Sequence, residues 1–321
     1  MNDSSQRNLM KRKIIIDTDP GQDDALAILL ALASPEELNV LGIVTVAGNV
    51  PLPLTTRNAR ALVELANRPE VPVFAGCPRP LMRNLVTAEH VHGKTGLDGW
   101  DMPEPSVALQ WEHGVDWLIE TLRQAEDDSI TLCTLAPLTN VGMAFAKAPD
   151  ILPKIREIVT MGGGYFVGGN VTPAAEFNVY VDPHAAQTVF SCGRPLTVMP
   201  LDVTHQALMP KTWIQSLREL GTPVGDATSG MLSFFERYDV KKYGSTGGPL
   251  HDPTVIAYLL KPELFEGKLV NLTVETQSDL TMGMTVFDWW GVTKRKPNAT
   301  VMNKIDSEAF FALLLERLSK L

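Results

Sequence analysis

The chain has 321 residues, with 37 acidic against 28 basic side chains and a formal charge of −9. That balance excludes a nucleic-acid groove, which needs clustered Lys and Arg, and it argues against a polyanionic substrate. Three cysteines, Cys77, Cys133 and Cys192, are too few and too scattered for a disulfide framework, and they fit a reducing, cytoplasmic setting.

The opening residues, MNDSSQRNLMKRK, are polar and precede only three isoleucines. That run is far too short for a signal peptide, and no later run is long enough to span a membrane. Residues 1–12 are expected to form a disordered extension in which Met10 offers an alternative start, and residues 13–321 a single domain.

Residues 13–24, KIIIDTDPGQDD, come next. The isoleucines read as a buried strand, Pro20 and Gly21 as the turn that ends it, and Asp23 as the start of a helix running to Ala33. Asp17, Asp19, Asp23 and Asp24 thus gather where a strand hands over to a helix, the end of an α/β sheet at which ligands sit. Like charges disfavour one another's ionisation, and no Lys or Arg lies between Asp17 and Ala33 to compensate them. A divalent cation would. An all-oxygen donor set suits Ca²⁺ or Mg²⁺ rather than Zn²⁺. Ordinary helix capping accounts for one or two of the four acids and no more.

Further on, Val40 to Val46 reads as a second strand that ends at Ala47-Gly48-Asn49. A helix over 55–67, a strand over 71–74, a helix over 115–124 and a strand over 130–135 continue the rhythm, which implies parallel strands with right-handed crossovers. Between them, residues 81–105 form a long loop with His90 and His92, of the kind that makes lids or binding segments. A strand then runs into Gly162-Gly163-Gly164, where the absence of Walker or dinucleotide spacing points to close backbone approach to a ligand rather than a phosphate cradle. Asn170, Glu176 and Asn178 follow in irregular backbone. A helix over 182–192, a strand over 196–199, a helix over 225–243 carrying Phe234, Phe235, Tyr238 and Tyr243, and the helix after His251-Asp252-Pro253 come next. Strands at 269–274, 283–287 and 299–302 and a helix over 307–318 close the chain. The fold class is α/β, an open and mostly parallel central sheet flanked by helices.

Taken together, DTDPGQDDA, Gly48-Asn49, EHVHGKTG, LAPLTN, MGGGY, AEFNVYVDP, DVTHQAL, GGPLHDP and GMTV resemble the nucleoside hydrolases of the inosine–uridine-preferring type, in order and over nearly the whole chain. The resemblance implies cleavage of the N-glycosidic bond of ribonucleosides to ribose and free base, a place in nucleoside catabolism or pyrimidine salvage, and one Ca²⁺ per subunit. It implies that Asp19, Asp24, Asp252 and the Leu135 carbonyl ligate calcium, and that Asp19 acts as general base toward the calcium-bound water. Asp23, Asn49, Asn170, Glu176 and Asn178 would hold the ribose hydroxyls, with Met161 alongside. His251 would protonate the leaving base or stack on it, with His92 nearby, and Phe177, Tyr238 and Tyr243 would touch the base. His205 reads as a structural residue that buttresses a loop. The 231–265 stretch looks closer to the pyrimidine-preferring members, which points to uridine and cytidine. A homo-oligomer, dimer or tetramer, is implied by analogy alone.

Two other readings compete. The apolar strand followed by DxD also resembles the haloacid-dehalogenase phosphatases, and a nucleoside or sugar binder could keep the pocket without catalysis.

Overall fold

Ile14, Ile15 and Ile16 are buried at the centre of a nine-stranded sheet, and their alternation serves two cores at once. Ile14 and Ile16 point to one helical layer and Ile15 to the other, as the two-residue period of a strand requires. The computed structural model describes residues 11–321, apart from the side chains of Asp239 and Tyr243. The expectations for residues 1–10 and for a base contact by Tyr243 therefore lie outside the described residues. Arg12, assigned above to the extension, already belongs to the first strand: it pairs in register with Leu38 and lies 3.0 Å from Glu157.

The order along the chain is β1 (Arg12–Thr18), α1 (Gln22–Leu32), β2 (Leu38–Thr45), α2 (Leu52–Leu65) and β3 (Val73–Ala75). Next come α3 (Glu89–His92), α4 (Gly114–Arg123), β4 (Ile130–Thr134), α5 (Thr139–Lys147) and β5 (Ile155–Met161). They are followed by α6 (Phe177–Val181), α7 (Pro183–Phe190), β6 (Leu196–Met199), α8 (Leu201–Thr204), α9 (Lys211–Glu219) and α10 (Pro223–Tyr243). The chain ends with α11 (Pro253–Leu260), β7 (Phe265–Val274), β8 (Thr285–Asp288), β9 (Ala299–Ile305) and α12 (Ser307–Leu318). Short helices α3, α6, α8 and α9 were not expected from the sequence. Three of them have only four or five residues, too few for a helical period to show.

The sheet runs β3-β2-β1-β4-β5-β6-β9-β7-β8. The strands from β3 through β9 pair in parallel, and β7 runs antiparallel to both β9 and β8. Helices α1, α2 and α9 to α12 cover one face, and α4, α5 and α7 the other. This is the open, mostly parallel α/β fold expected, in a single domain. Among the described residues no helix is long and apolar enough to cross a membrane.

Helix α1 explains why the site sits where it does. Gly21 starts it in an extended conformation, two acids occupy its first turn, and Ser34-Pro35 stops it. All eleven of its residues are buried, including Gln22, Asp23 and Asp24. Fully burying one of its Leu or Ile side chains contributes about 1.5–3 kcal/mol, so the helix is a core element whose first turn happens to be acidic.

Asn140 ties three segments of the sheet's C-terminal edge together. Its amide donates to Asp17 Oδ2 (2.8 Å) and the Thr45 carbonyl (3.1 Å), and its Oδ1 accepts from Cys77 N (2.8 Å). Asn140→Ala should therefore leave several buried polar groups unpaired and lower the unfolding free energy by about 3 kcal/mol. Urea denaturation followed by circular dichroism measures this, and an unchanged midpoint would remove Asn140 from the structural account.

Candidate active site

The C-terminal ends of β1, β2, β4 and β5 open into a pocket of about 760 Å³ counting its mouth, the size range of small-molecule sites. Asp23, Asn49, Leu135, Met161, Glu176, Asn178 and Asp252 line its floor and walls. Asn170, Phe177, His92, His251 and Tyr238, also expected from the sequence, line it too, whereas Asp19 and Asp24, expected at the metal, are fully buried and do not line it. Seven residues not expected at the site join them: Ala88, His90, Val91, Val171, His205, Phe235 and Lys242. His205, expected to buttress a loop, instead lines the pocket with its ring 5.8 Å from that of His251. It is half-buried and caps the C-terminus of the four-residue α8, an element too short to show a pattern by which to find it.

Carboxylate oxygens of Asp23, Asp24 and Asp252 lie within 4.8 Å of one another, all buried. Asp24 does two things. Its Oδ2 accepts from Gly21 N (3.0 Å) and caps α1, and its Oδ1 accepts from Thr18 Oγ1 (2.5 Å). The capping explanation and the metal explanation thus hold for the same residue. Asp19 sits beside this trio rather than within it. Its Oδ2 accepts from Asn49 N at 2.6 Å, while its Oδ1 is buried without a hydrogen-bond partner. Gly48 makes that approach feasible, because a Cβ there would lie 2.0 Å from Asp19 Oδ2.

Asp17, the fourth acid of the opening cluster, does not line the pocket; it is held by Asn140. The three consecutive glycines hydrogen-bond to neighbouring segments. Gly163, at φ +80°, donates its N–H to Glu176 Oε2 (2.9 Å), and Gly164 N bonds Thr285 Oγ1 (3.0 Å). They pack against a pocket residue, Glu176, and against the start of β8 at Thr285. Asn178 Nδ2 donates to the Leu135 carbonyl (2.8 Å), so that carbonyl is already oriented at the pocket wall.

Burial dominates the electrostatics. It raises Asp19 and Asp252 well above the ordinary carboxylate range, reinforced for Asp19 by Asp24 and for Asp252 by Asp23. Asp24 is raised by burial too, and Asp17 and Glu176 are pushed up to about 7 by the same cause. Backbone N–H groups of Asn178, Gly163, Val179 and Phe177 partly counter this at Glu176. His92 and His251 move the other way, lowered to about 3 by burial, so both rings are neutral. A neutral His251 ring can donate a hydrogen bond into the pocket.

The donors fit a hard divalent cation: oxygen only, from separate strand ends, buried and mutually repelling, with one Asp19 oxygen lacking any partner. Asp23, Asp24, Asp252 and Asp19 could hold it, with the Leu135 carbonyl at hand. Asp23 joins this group by position, where the sequence placed it among the ribose contacts.

A pocket at the carboxyl ends of parallel strands, floored by acids, ringed by amides and rimmed by aromatic rings, defines an α/β enzyme acting on a small polyhydroxylated molecule. Comparison with known proteins gives the family. The family model described as inosine-uridine preferring nucleoside hydrolase matches residues 14–312, and the chain belongs to that family. It is a ribonucleoside hydrolase, an N-glycosidase. It is 50% identical over 309 residues to an uncharacterised protein of Schizosaccharomyces pombe, covering 96% of this chain and 99% of that one. It is 46% identical to the pyrimidine-specific ribonucleoside hydrolase RihA of Salmonella paratyphi B, again over 96% and 99%. Among solved structures it is similar to the purine-preferring ribonucleoside hydrolase of Gardnerella vaginalis, at 31% identity and a TM-score of 0.89 over 96% and 98% of the chains. The phosphatase and the non-catalytic binder are set aside by this match.

Raised carboxyl pKa values have a defined sign in stability. A group whose folded pKa exceeds its unfolded value contributes most below the unfolded pKa, near 4, and loses that contribution as pH rises through the folded value. The cation-free protein should accordingly melt at lower temperature at pH 8 than at pH 5.5, the loss accruing as pH rises toward about 7, where Asp17 and Glu176 titrate, and levelling off above it. Thermal melts across that range, with and without added CaCl₂, test this. Calcium should restore most of the loss at pH 8, and a melting temperature that climbs with pH in the chelated protein would contradict the assignment.

Proposed function

We propose that this enzyme hydrolyses pyrimidine ribonucleosides, uridine and cytidine first, with one calcium ion at the acidic floor and Asp19 as general base. The observation that carries the reading is the convergence of buried carboxylates from Asp23, Asp24 and Asp252 beneath a ring of amides. When bound, calcium would orient the attacking water, anchor ribose hydroxyls and modestly lower the water's pKa. The chain's own residues do the rest.

Asp19 keeps one carboxylate oxygen on the Asn49 N–H and has its other oxygen uncommitted, which is the arrangement of a fixed base that can take one proton. Cleavage builds positive charge on the ribose, and the surrounding carboxylates stabilise it. Glu176, Asn178, Asn49 and Asn170 bind hydroxyls from positions set by backbone hydrogen bonds. His251 donates to the base as negative charge develops there, and Phe177 and Tyr238 cover its faces. The pyrimidine preference is supported by the identity to the RihA enzymes. A homo-oligomer of two or four subunits, in a cytoplasm that keeps the cysteines reduced, completes the proposal.

Asp19→Ala should lower kcat by about 10²–10⁴-fold, the usual worth of a positioned general base, while the fold is retained. Reducing-sugar release from uridine, cytidine, inosine and adenosine, with and without chelator, reads both the loss and the base preference. Inosine turned over faster than uridine would overturn the pyrimidine assignment. A cage built to pair with hydroxyls also leaves buried groups unpaired when one is missing. Deoxyuridine should consequently fall behind uridine in kcat/KM by roughly 10³-fold or more, and equal rates in a competition assay would dismantle the cage.

A further inference from the structure

His92 and His251 both line the pocket, and each spends its Nδ1 on a buried side chain behind it. For His92 the partner is Gln22, whose Oε1 lies 2.7 Å from Nδ1. The same amide's Nε2 donates to the carbonyls of His92 (2.9 Å) and Asp98 (3.1 Å). Carbonyl oxygens only accept, so these two bonds fix which end of the amide is nitrogen, and Oε1 is left able only to accept. The proton of His92 therefore sits on Nδ1, and its Nε2 is a bare acceptor.

For His251 the partner is Thr204, with Oγ1 2.8 Å from Nδ1. Thr204 is fully buried, and among the described residues its hydroxyl has no second hydrogen-bond partner. Were Nδ1–H to donate to Oγ1, the hydroxyl proton would be buried with nowhere to go, at a cost that makes the arrangement unfavourable. The hydroxyl instead donates to Nδ1, which places the ring proton on Nε2. Among the described residues neither Nε2 has a hydrogen-bond partner, and neither belongs to the buried side-chain atoms left without one.

We infer that Gln22 and Thr204 are positioning residues that hold His92 and His251 in opposite tautomers, so that the pocket offers its substrate an acceptor at one ring and a donor at the other. The donor at His251 suits the carbonyl or ring nitrogen on which a departing nucleobase gathers electrons. The acceptor at His92 suits an N–H or a hydroxyl. This functional use rests on the hydrolase reading above; the tautomers themselves do not.

The test is a long-range proton–nitrogen correlation spectrum of the full chain, histidine-labelled with ¹⁵N and loaded with calcium, with His92→Asn and His251→Asn variants to assign the signals. His251 should show the Nε2–H pattern and His92 the Nδ1–H pattern. The opposite tautomer or an averaged mixture on either ring overturns the inference. Thr204→Val should release His251 into a mixture and lower kcat by roughly tenfold, about the worth of one hydrogen bond, with Thr204→Ser restoring both. A Thr204→Val enzyme that slows while its tautomer stays fixed would show a merely structural role and also overturn it. If that variant does not fold, the wild-type spectrum decides alone. Failure of the wild type to release ribose from any nucleoside would instead remove the hydrolase reading and leave the spectrum standing.

Discussion

Several carboxylates buried against one another are the constraint from which the rest of the structure follows. A lone buried acid can stay neutral at modest cost, but a group of them repels as well as desolvates, and each has to be held in place against that repulsion. Here the restraint is backbone: Gly21 N on Asp24, Asn49 N on Asp19, and the first turn of α1 under both. The acids lie at the positive end of a helix and at the carboxyl ends of parallel strands, where the local field favours anions. The same packing that makes the cluster costly in an empty protein prepares it for a hard cation.

The two ends of the pocket are built from different materials. The acidic end, proposed to hold the sugar, is made of strand termini and helix starts, its side chains clamped by backbone donors, as Glu176 is by Gly163, Asn178 and Val179. The opposite end, proposed to hold the base, is made of α3 and the C-terminal half of α10, where contacts are made to ring faces: His92 on Phe235, His90 on Tyr238, and the Lys242 ammonium over Tyr238. Hydrogen bonds to backbone fix directions closely, whereas ring contacts tolerate sliding. A pocket made this way holds directions closely at its acidic end and leaves more freedom at its aromatic rim.

Much of this was legible in the sequence because the strands are buried on both faces and read as continuous β-branched runs, as at residues 40–46 and 130–135. The acidic motif was legible because charge rarely clusters without reason. What was not legible depends on pairings between distant residues. Nothing near Asp17 says that Asn140, 123 positions later, will claim it and remove it from the pocket. Nothing in MGGGY says that its glycines face Glu176 and Thr285. His205 lies in a helical turn too short to have a period, so its direction could not be inferred. Composition and periodicity report which way an element faces. They do not report which polar groups it meets.

Helix α1 has no residue at the surface. An element with no solvent face offers selection no position that is free to drift, since every substitution alters the packing that holds the two acids of its first turn. Evolutionary change of substrate must then travel through α3, α10 and their loops. An inhibitor that mimics only the sugar would meet a wall that cannot easily mutate away from it, whereas one that depends on the base would select for resistance at the opposite rim.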